Sequence, residues 1–485
     1  MNTTAMRRPD ASATPVIDRA RRGRERGFLG GAREVDDEAV QVVGRLPDWL
    51  QGSLLLNGPA LWELRDDQLR HWFDGFAMMH RLRIEAGRVR YRSRFVQSQA
   101  YRHSTERGRS VHGEFGSPHP GSLWARLWGT RGSDNPAVVM SRHGPRWLAT
   151  TETPYLTYFD PETLVTQERL DLHDALGVHL MAAHGFTLDD GSYLNLATRL
   201  GRTCEQLLFR LAPGSSRPET LARLPMAEAG YTHAFALAAG HAVVWECALR
   251  ARPLAFRFGA GAYKDNFSWK PATGSRLHAV ALQGGAVRSW SIAPMMAFHA
   301  TQAWSEGEDL LLELATYDNA DVFNDLLLDR RRRGDPLAAR PTLVRYRMRA
   351  GHTNASVEPL GVALELQQVH PGCVGKRRAA VCWGGSGFAD GEFFDRTLRL
   401  DLLSGVVTSW QRQGAMQLEP LFVPRPGGVD DDDGVLLVPT LADGDDRTVL
   451  AVVDARTMQA LAELHAPQVL PFGFHAAFAQ APVTG

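Results

Sequence analysis

From residue 27 onward, short runs of β-branched, aromatic and leucine residues are cut at close intervals by two-residue turn signals. Ala86-Gly87 precedes the run 89–96, Asp190-Gly191 precedes 192–196, and Gly284-Gly285 precedes 286–292. Ser404-Gly405 precedes 406–410, and Asp433-Gly434 precedes 435–439. Glycine and aspartate tolerate the positive φ that hairpin turns need, so each pair of runs reads as an antiparallel hairpin. Helical spacing is scarce. The better candidates are residues 321–332, where Val322, Phe323, Leu326 and Leu327 share a face, and a short piece at 123–128. Many short strands in a 485-residue chain predict an all-β architecture of meander repeats. A propeller suits that size better than one sandwich. No tryptophan–aspartate repeat marks the blades, so periodicity leaves their number open. No Pro/Gly-rich linker divides the chain. Residues 27–485 are expected to form one domain behind a disordered tail at 1–26, which is rich in Arg, Ala, Thr and Asp.

Charge excludes several functions. Lys+Arg and Asp+Glu both total 54, so nothing directs the chain to nucleic acid. The basic clusters at 21–26 and 330–333 read as a solvated tail and a solvated loop. Cys204, Cys247, Cys373 and Cys382 form no C-x-x-C pair and no disulfide framework, which implies a reducing, cytoplasmic setting. The first 26 residues lack the apolar segment of a secretory signal, and no stretch approaches the roughly 18 apolar residues of a membrane span. A soluble or at most peripheral protein is expected. The phosphate loop, the H-E-x-x-H helix and the G-x-S-x-G elbow are absent. Residues 384–391 (GGSGFADG) lack dinucleotide-binding spacing and read as a loop. The acidic run 430–433 lacks the alternating ligands of a calcium loop and reads as a charged hairpin turn.

Four of the 17 histidines sit in similar settings: Ala183-His184-Gly185-Phe186, Thr232-His233-Ala234-Phe235, Phe298-His299-Ala300 and Phe474-His475-Ala476. Small neighbours and a nearby Phe make such a place expensive for an imidazole unless its nitrogens find partners. Taken singly, each fits a hydrogen-bonded core histidine. Taken together, they would also suit a metal site where separate strands converge on a propeller axis.

Longer segments carry a resemblance. Asn57-Gly58-Pro59, His71-Trp72-Phe73-Asp74-Gly75 with Met79-His80, and residues 87–101 (GRVRYRSRFVQSQAY) stand in the first part of the chain. Glu114-Phe115-Gly116, Thr151-Glu152-Thr153-Pro154 and residues 160–164 follow. Residues 419–426 (EPLFVPRP), Asp432-Asp433-Gly434 and Pro471-Phe472-Gly473-Phe474-His475 close the series. In this order the segments resemble the carotenoid cleavage oxygenase family over about residues 27–480. The flavour is that of the animal-type branch of β-carotene oxygenases and the retinal-pigment-epithelium retinoid isomerase, carried here by what reads as a bacterial member. Leu56, Ala234 and Gln367-Gln368 depart from the family pattern, which often has Arg, then Asp or Ser, and Pro-Arg at these places.

The resemblance implies a seven-bladed β-propeller with a cap of loops and short helices over an axial metal site. It implies Fe(2+) held by His184, His233, His299 and His475. Glu152, Glu365 and Glu419 match the family's carboxylates that hold the liganding rings. Four neutral imidazoles suit ferrous iron and leave room for dioxygen. The implied activity is oxidative cleavage of a carotenoid or apocarotenoid double bond to aldehydes, with a β-carotene-like substrate giving retinal favoured. The alternatives are a retinoid isomerase or ester-cleaving enzyme, a stilbene-cleaving dioxygenase, and an inactive propeller that binds apolar ligands. Phe73, Thr151 and Phe298 are candidates for the substrate tunnel, with plain core packing an equal reading. Leu123, Trp124, Leu127 and Trp128 would share one helical face beside Arg126 and Arg131. That pattern suits peripheral membrane contact or a helix packed on the propeller.

Overall fold

Turn chemistry sets the strand pairing. At Ala86-Gly87 both central residues are left-handed, with φ of 49° and 73°. The strands they join, Phe76–Glu85 and Arg88–Phe95, pair in register up to Glu85 opposite Arg88. This is the backbone that a two-residue hairpin turn requires. The hairpins after Asp190-Gly191, Ser404-Gly405 and Asp433-Gly434 also form, through strands Tyr193–Arg199, Val407–Trp410 and Gly434–Ala442. The computed structural model of the chain describes residues 23–121, 131–258, 261–284 and 287–480.

Antiparallel sheets of four or five strands follow one another along the chain in an all-β, propeller-like arrangement. The first runs from Val139–His143 to Thr166–Asp171 and the last from Glu365–Val369 to Val407–Trp410. The two ends of the chain meet in a ten-stranded sheet. There Gly52–Leu61 pairs with the C-terminal strand His475–Gln480, Asn57 lying opposite His475. Val35–Gly44 pairs with Ala460–His465, Gln41 lying opposite His465. Five blade-sized sheets therefore stand apart, where the resemblance implied seven blades. Val35–Gly44 is the reason, because it hydrogen-bonds along both edges, to Arg88–Phe95 and to Ala460–His465. Val35–Gly44 is thereby left with no free edge. Burial differs between strands. Gly434–Ala442 is buried at every residue, whereas Ser356–Pro359 is exposed at every residue.

Other expectations are corrected. The segment 321–332 is two helices, Val322–Asp325 and Leu328–Arg333, because Leu327 leaves helical geometry with ψ of 132°. Its basic run is no solvated loop. Arg331 and Arg332 are buried, at 1% and 0% exposure. Arg331 donates to the carbonyls of Asp325 and Asp335, and Arg332 to the carbonyl of Phe28 and to Glu63. Charge alone does not reveal carbonyl partners supplied by other segments. The expected boundary at residue 27 falls inside a short 3-10 helix, Arg24–Phe28, whose Phe28 is fully buried. Gly384 and Gly385 belong to the buried strand Val381–Ser386 and not to a loop. The acidic run does lie in a hairpin connection, where Arg377, Arg399, Arg425 and Arg456 pair with its carboxylates. All four cysteines are free and buried. No helix among the described residues is long and apolar enough to cross a membrane, and Leu123, Trp124, Leu127 and Trp128 lie outside the described residues.

At the closure two backbones touch. A methyl group on Gly58 would lie 2.2 Å from Cα of Gly473, two residues before His475. Gly58→Ala should therefore destabilise the chain by about 1–3 kcal/mol. The check is a lowered thermal midpoint by circular dichroism, and an unchanged midpoint contradicts this account of the closure.

Candidate metal centre

Four histidines come from four stretches of chain. His184 lies between Leu180–Met181 and Phe186–Thr187, and His233 just ahead of Ala236–Ala238. His299 lies within Met296–Glu306, and His475 opens the last strand. One ring nitrogen from each falls within 4.8 Å of all the others. Ring centroids stand 4.4 Å apart for His184 and His475 and 5.1 Å apart for His299 and His475. Burial pushes His184 and His233 well below the ordinary imidazole range, and the neighbouring rings push the same way. Both are neutral at physiological pH.

Irregular backbone aims two of the groups. Around His299 the pairing of Met296–Glu306 with Asp309–Tyr317 shifts register between Ala297 and Ala300 and again before Gln302. The strand Glu365–Val369 bulges between Glu365 and Gln368, with Leu366 left-handed at φ 56°. That conformation costs a non-glycine residue roughly 1–2 kcal/mol. In return the bulge turns Glu365 toward His299, and the N–H of Leu366 donates to Glu365 Oε2 at 3.1 Å.

Each of three rings is held by a carboxylate. His233 Nδ1 lies 2.7 Å from Glu152 Oε1, His299 Nδ1 2.8 Å from Glu365 Oε2, and His475 Nδ1 2.9 Å from Glu419 Oε1. A carboxylate accepting at Nδ1 selects the Nδ1–H tautomer and leaves Nε2 with a bare lone pair. Neutral donors hold the carboxylates in turn. Glu152 accepts from the hydroxyls of Tyr231 and Tyr263. Burial pushes it up to about 7, and those two hydroxyls act against the rise. Glu365 is hydrogen-bonded by Tyr317. Glu419 accepts from Gln368 Nε2 at 2.8 Å and from the N–H of Ala476 at 2.7 Å. Burial pushes all three tyrosines well above their ordinary range, so they remain donors. Sequence reasoning missed these tyrosines, and only the position of Tyr231 two residues before His233 hinted at one. It counted Gln368 as a departure without seeing that its amide reaches Glu419.

The donor set fits a transition-metal ion. His184 and His233 are neutral, the Nδ1 atoms of His233, His299 and His475 are engaged by carboxylates, and Nε2 of His184 and of His299 is buried without a hydrogen-bond partner. A second grouping, His370, Cys373 and Asp431, does not fit. Arg377 and the N–H of Ala380 already occupy Asp431, and burial pushes the Cys373 thiol up to about 12.

The rings separate two spaces. On one side His233, His299 and His475 join a cavity walled by Phe73, Phe115, Phe298, Phe393, Phe474 and Tyr317, with Thr151 and Glu114 also in the wall. On the other side His184, His299 and His475 face a more polar space that includes Arg142, Glu162, Gln302, Gln367 and Gln368. Phe73, Thr151 and Phe298 thus share the aromatic cavity.

Fold and site together define a propeller-like β-protein with a buried cluster of four imidazoles suited to a metal. The family model described as retinal pigment epithelial membrane protein matches residues 29–480. Carotenoid cleavage dioxygenase 8 homolog A of Oryza sativa subsp. japonica is 30% identical, covering 90% of this chain and 84% of the relative. Beta,beta-carotene 15,15'-dioxygenase of Mus musculus is 25% identical, covering 92% of this chain and 89% of the relative. Among solved structures, cobalt-substituted Synechocystis apocarotenoid oxygenase superposes with a TM-score of 0.83. It is 26% identical and covers 94% of this chain and 98% of that one. The chain belongs to this family, the carotenoid cleavage oxygenases, and is an enzyme of its oxidoreductase class, the carotenoid cleavage dioxygenases.

Equilibrium dialysis against a divalent transition ion should find one tight site per chain. His299→Ala should lose it while keeping the β-sheet circular dichroism spectrum. Glu419→Gln should weaken it by roughly 10–100-fold. Full metal retention by His299→Ala contradicts the assignment.

Proposed function

We propose that the chain uses dioxygen to cleave one double bond of a carotenoid or apocarotenoid, at Fe(2+) held by His184, His233, His299 and His475. The observation that carries this reading is the position of the imidazole cluster, which borders a cavity walled largely by aromatic side chains. Iron(II) bound there would supply the electrons that activate dioxygen toward an alkene. The protein does the rest. Glu152, Glu365 and Glu419 hold the Nδ1 protons of three rings and so orient their Nε2 lone pairs. Phe73, Phe298 and Phe474 give a flat polyene apolar faces to lie against and keep water from the reacting bond. No side-chain acid or base is needed, because one C=C and one O2 yield two carbonyl groups with no proton gained or lost. Fixing one bond of a long conjugated chain beside the cluster selects the cleavage position.

Two structural readings belong to this proposal. The ten-stranded sheet corresponds to two blades merged across Val35–Gly44 and Ala460–His465, which brings the count to seven. Helix Val322–Asp325 and the segments around Phe115 and Phe393, which contribute to the cavity wall, act as the cap. Peripheral membrane contact through Leu123, Trp124, Leu127 and Trp128 would give a water-insoluble substrate a route in.

The test is chromatography of products from iron-loaded protein incubated with carotenoids, apocarotenals and stilbenes, with and without oxygen. Oxygen-dependent loss of a carotenoid with two carbonyl products is expected. Isomerised retinoid formed equally without oxygen, or binding with no turnover of any substrate, sinks the reading.

A further inference from the structure

The aromatic cavity contains one acid that the proposed cleavage leaves without a role. Glu114 lines it together with His233, His299, His475 and Phe73. Its backbone is pinned on both sides, since its N–H donates to the Ser117 carbonyl at 2.9 Å and its carbonyl accepts the N–H of Tyr263 at 3.0 Å. The segment is clamped from below by Asp74, whose carboxyl accepts the N–H of Gly116 and the hydroxyl of Ser117, both at 2.7 Å. The Lys264 N–H holds the Phe115 carbonyl at 2.9 Å. The Glu114 backbone is therefore held in place in the cavity wall.

Its chemistry is unusual for that wall. Glu114 is only 7% exposed, and the hydroxyl of Ser133 hydrogen-bonds its carboxyl group. Oε1 is buried with no hydrogen-bond partner. The acids Asp74 and Asp134 nearby, with burial as the larger cause, push Glu114 well above the carboxylate range. The group is a neutral carboxyl, able both to donate and to accept. An unsatisfied buried polar atom is costly, and one that borders a cavity is available to a ligand there.

We infer that Glu114 hydrogen-bonds an oxygen function on the substrate. The cavity would then select a conjugated chain bearing a hydroxyl or carbonyl group over the plain hydrocarbon favoured on resemblance. This inference rests on the cleavage reading for the identity of the polyene, but the binding site itself is independent of iron. A site built to hydrogen-bond an oxygen discriminates against the analogue lacking it more sharply than a greasy pocket discriminates by size.

The test uses the full chain and the variants Glu114→Leu and Glu114→Gln, with equal iron content and matching circular dichroism spectra established first. Four probes are compared: β-carotene, zeaxanthin with its ring hydroxyls, an apocarotenal and 4-hydroxystilbene. Dissociation constants are measured on metal-free protein by fluorescence quenching, and kcat/KM on iron-loaded protein. Wild type should bind at least one oxygenated probe more tightly than β-carotene. Glu114→Leu should lose roughly tenfold for that probe in both measurements, with β-carotene unchanged or improved. Glu114→Gln, whose amide still donates and accepts, should keep most of the preference. Which probe responds distinguishes a ring hydroxyl, an aldehyde and a phenol. Equal loss for all probes, or no loss for any, overturns the inference. So does a wild type that prefers β-carotene, a result available even if the leucine variant does not fold. Absence of turnover by every protein sinks the cleavage reading instead, while the metal-free constants still judge Glu114.

Discussion

Three carboxylate–imidazole hydrogen bonds, made where almost no water reaches, are the constraint on which the centre of this molecule depends. Glu152, Glu365 and Glu419 are 8%, 3% and 3% exposed, and burying a charge at such sites costs several kcal/mol before compensation. Compensation comes from ring N–H groups, tyrosine hydroxyls, one glutamine amide and backbone N–H groups. Each pair joins segments far apart in sequence, so the sheets must stack in one arrangement for all three bonds to form. The same bonds turn three lone pairs toward a common point. Stability and chemistry are coupled here, because the contacts that offset the burial also orient the rings.

Around that point the molecule keeps two environments apart. Aromatic side chains lie on one side of the rings, while glutamines, Arg142 and Glu162 lie on the other. Local irregularity supports the division. The bulge at Leu366 sends Glu365 to His299 and Gln368 to Glu419 from a single short strand, which regular alternation along four residues would not permit. Asp74 plays a comparable part in the aromatic wall. Burial pushes it up to about 6 although four donors surround it, and it fastens the segment that carries Glu114.

The hairpins were legible because glycine and aspartate mark positive φ directly, as at Ala86-Gly87. The four histidines were legible as a set because each sits among small and aromatic neighbours. Less could be read where the partner lies far along the chain. Arg332 looks like part of a solvated charge run until the Phe28 carbonyl is brought to it. Gly384 looks like loop until Leu364 is seen packed where its side chain would be. Tyr263 and Tyr317 carry no local mark, because their role comes from carboxylates more than forty residues distant in the chain.

By itself the sequence determined the all-β class, the turn positions, the family and the residue types available for chemistry, since each depends on local φ preference or on a recognisable string of neighbours. Tertiary structure alone decided that the four rings share a point, which tyrosines and which glutamine hold the carboxylates, and how the two chain ends merge into one ten-stranded sheet. It also decided that Glu114 faces a cavity with an oxygen left over. These are relations between groups distant in the chain, created by burial and closure, and no window of sequence contains both partners.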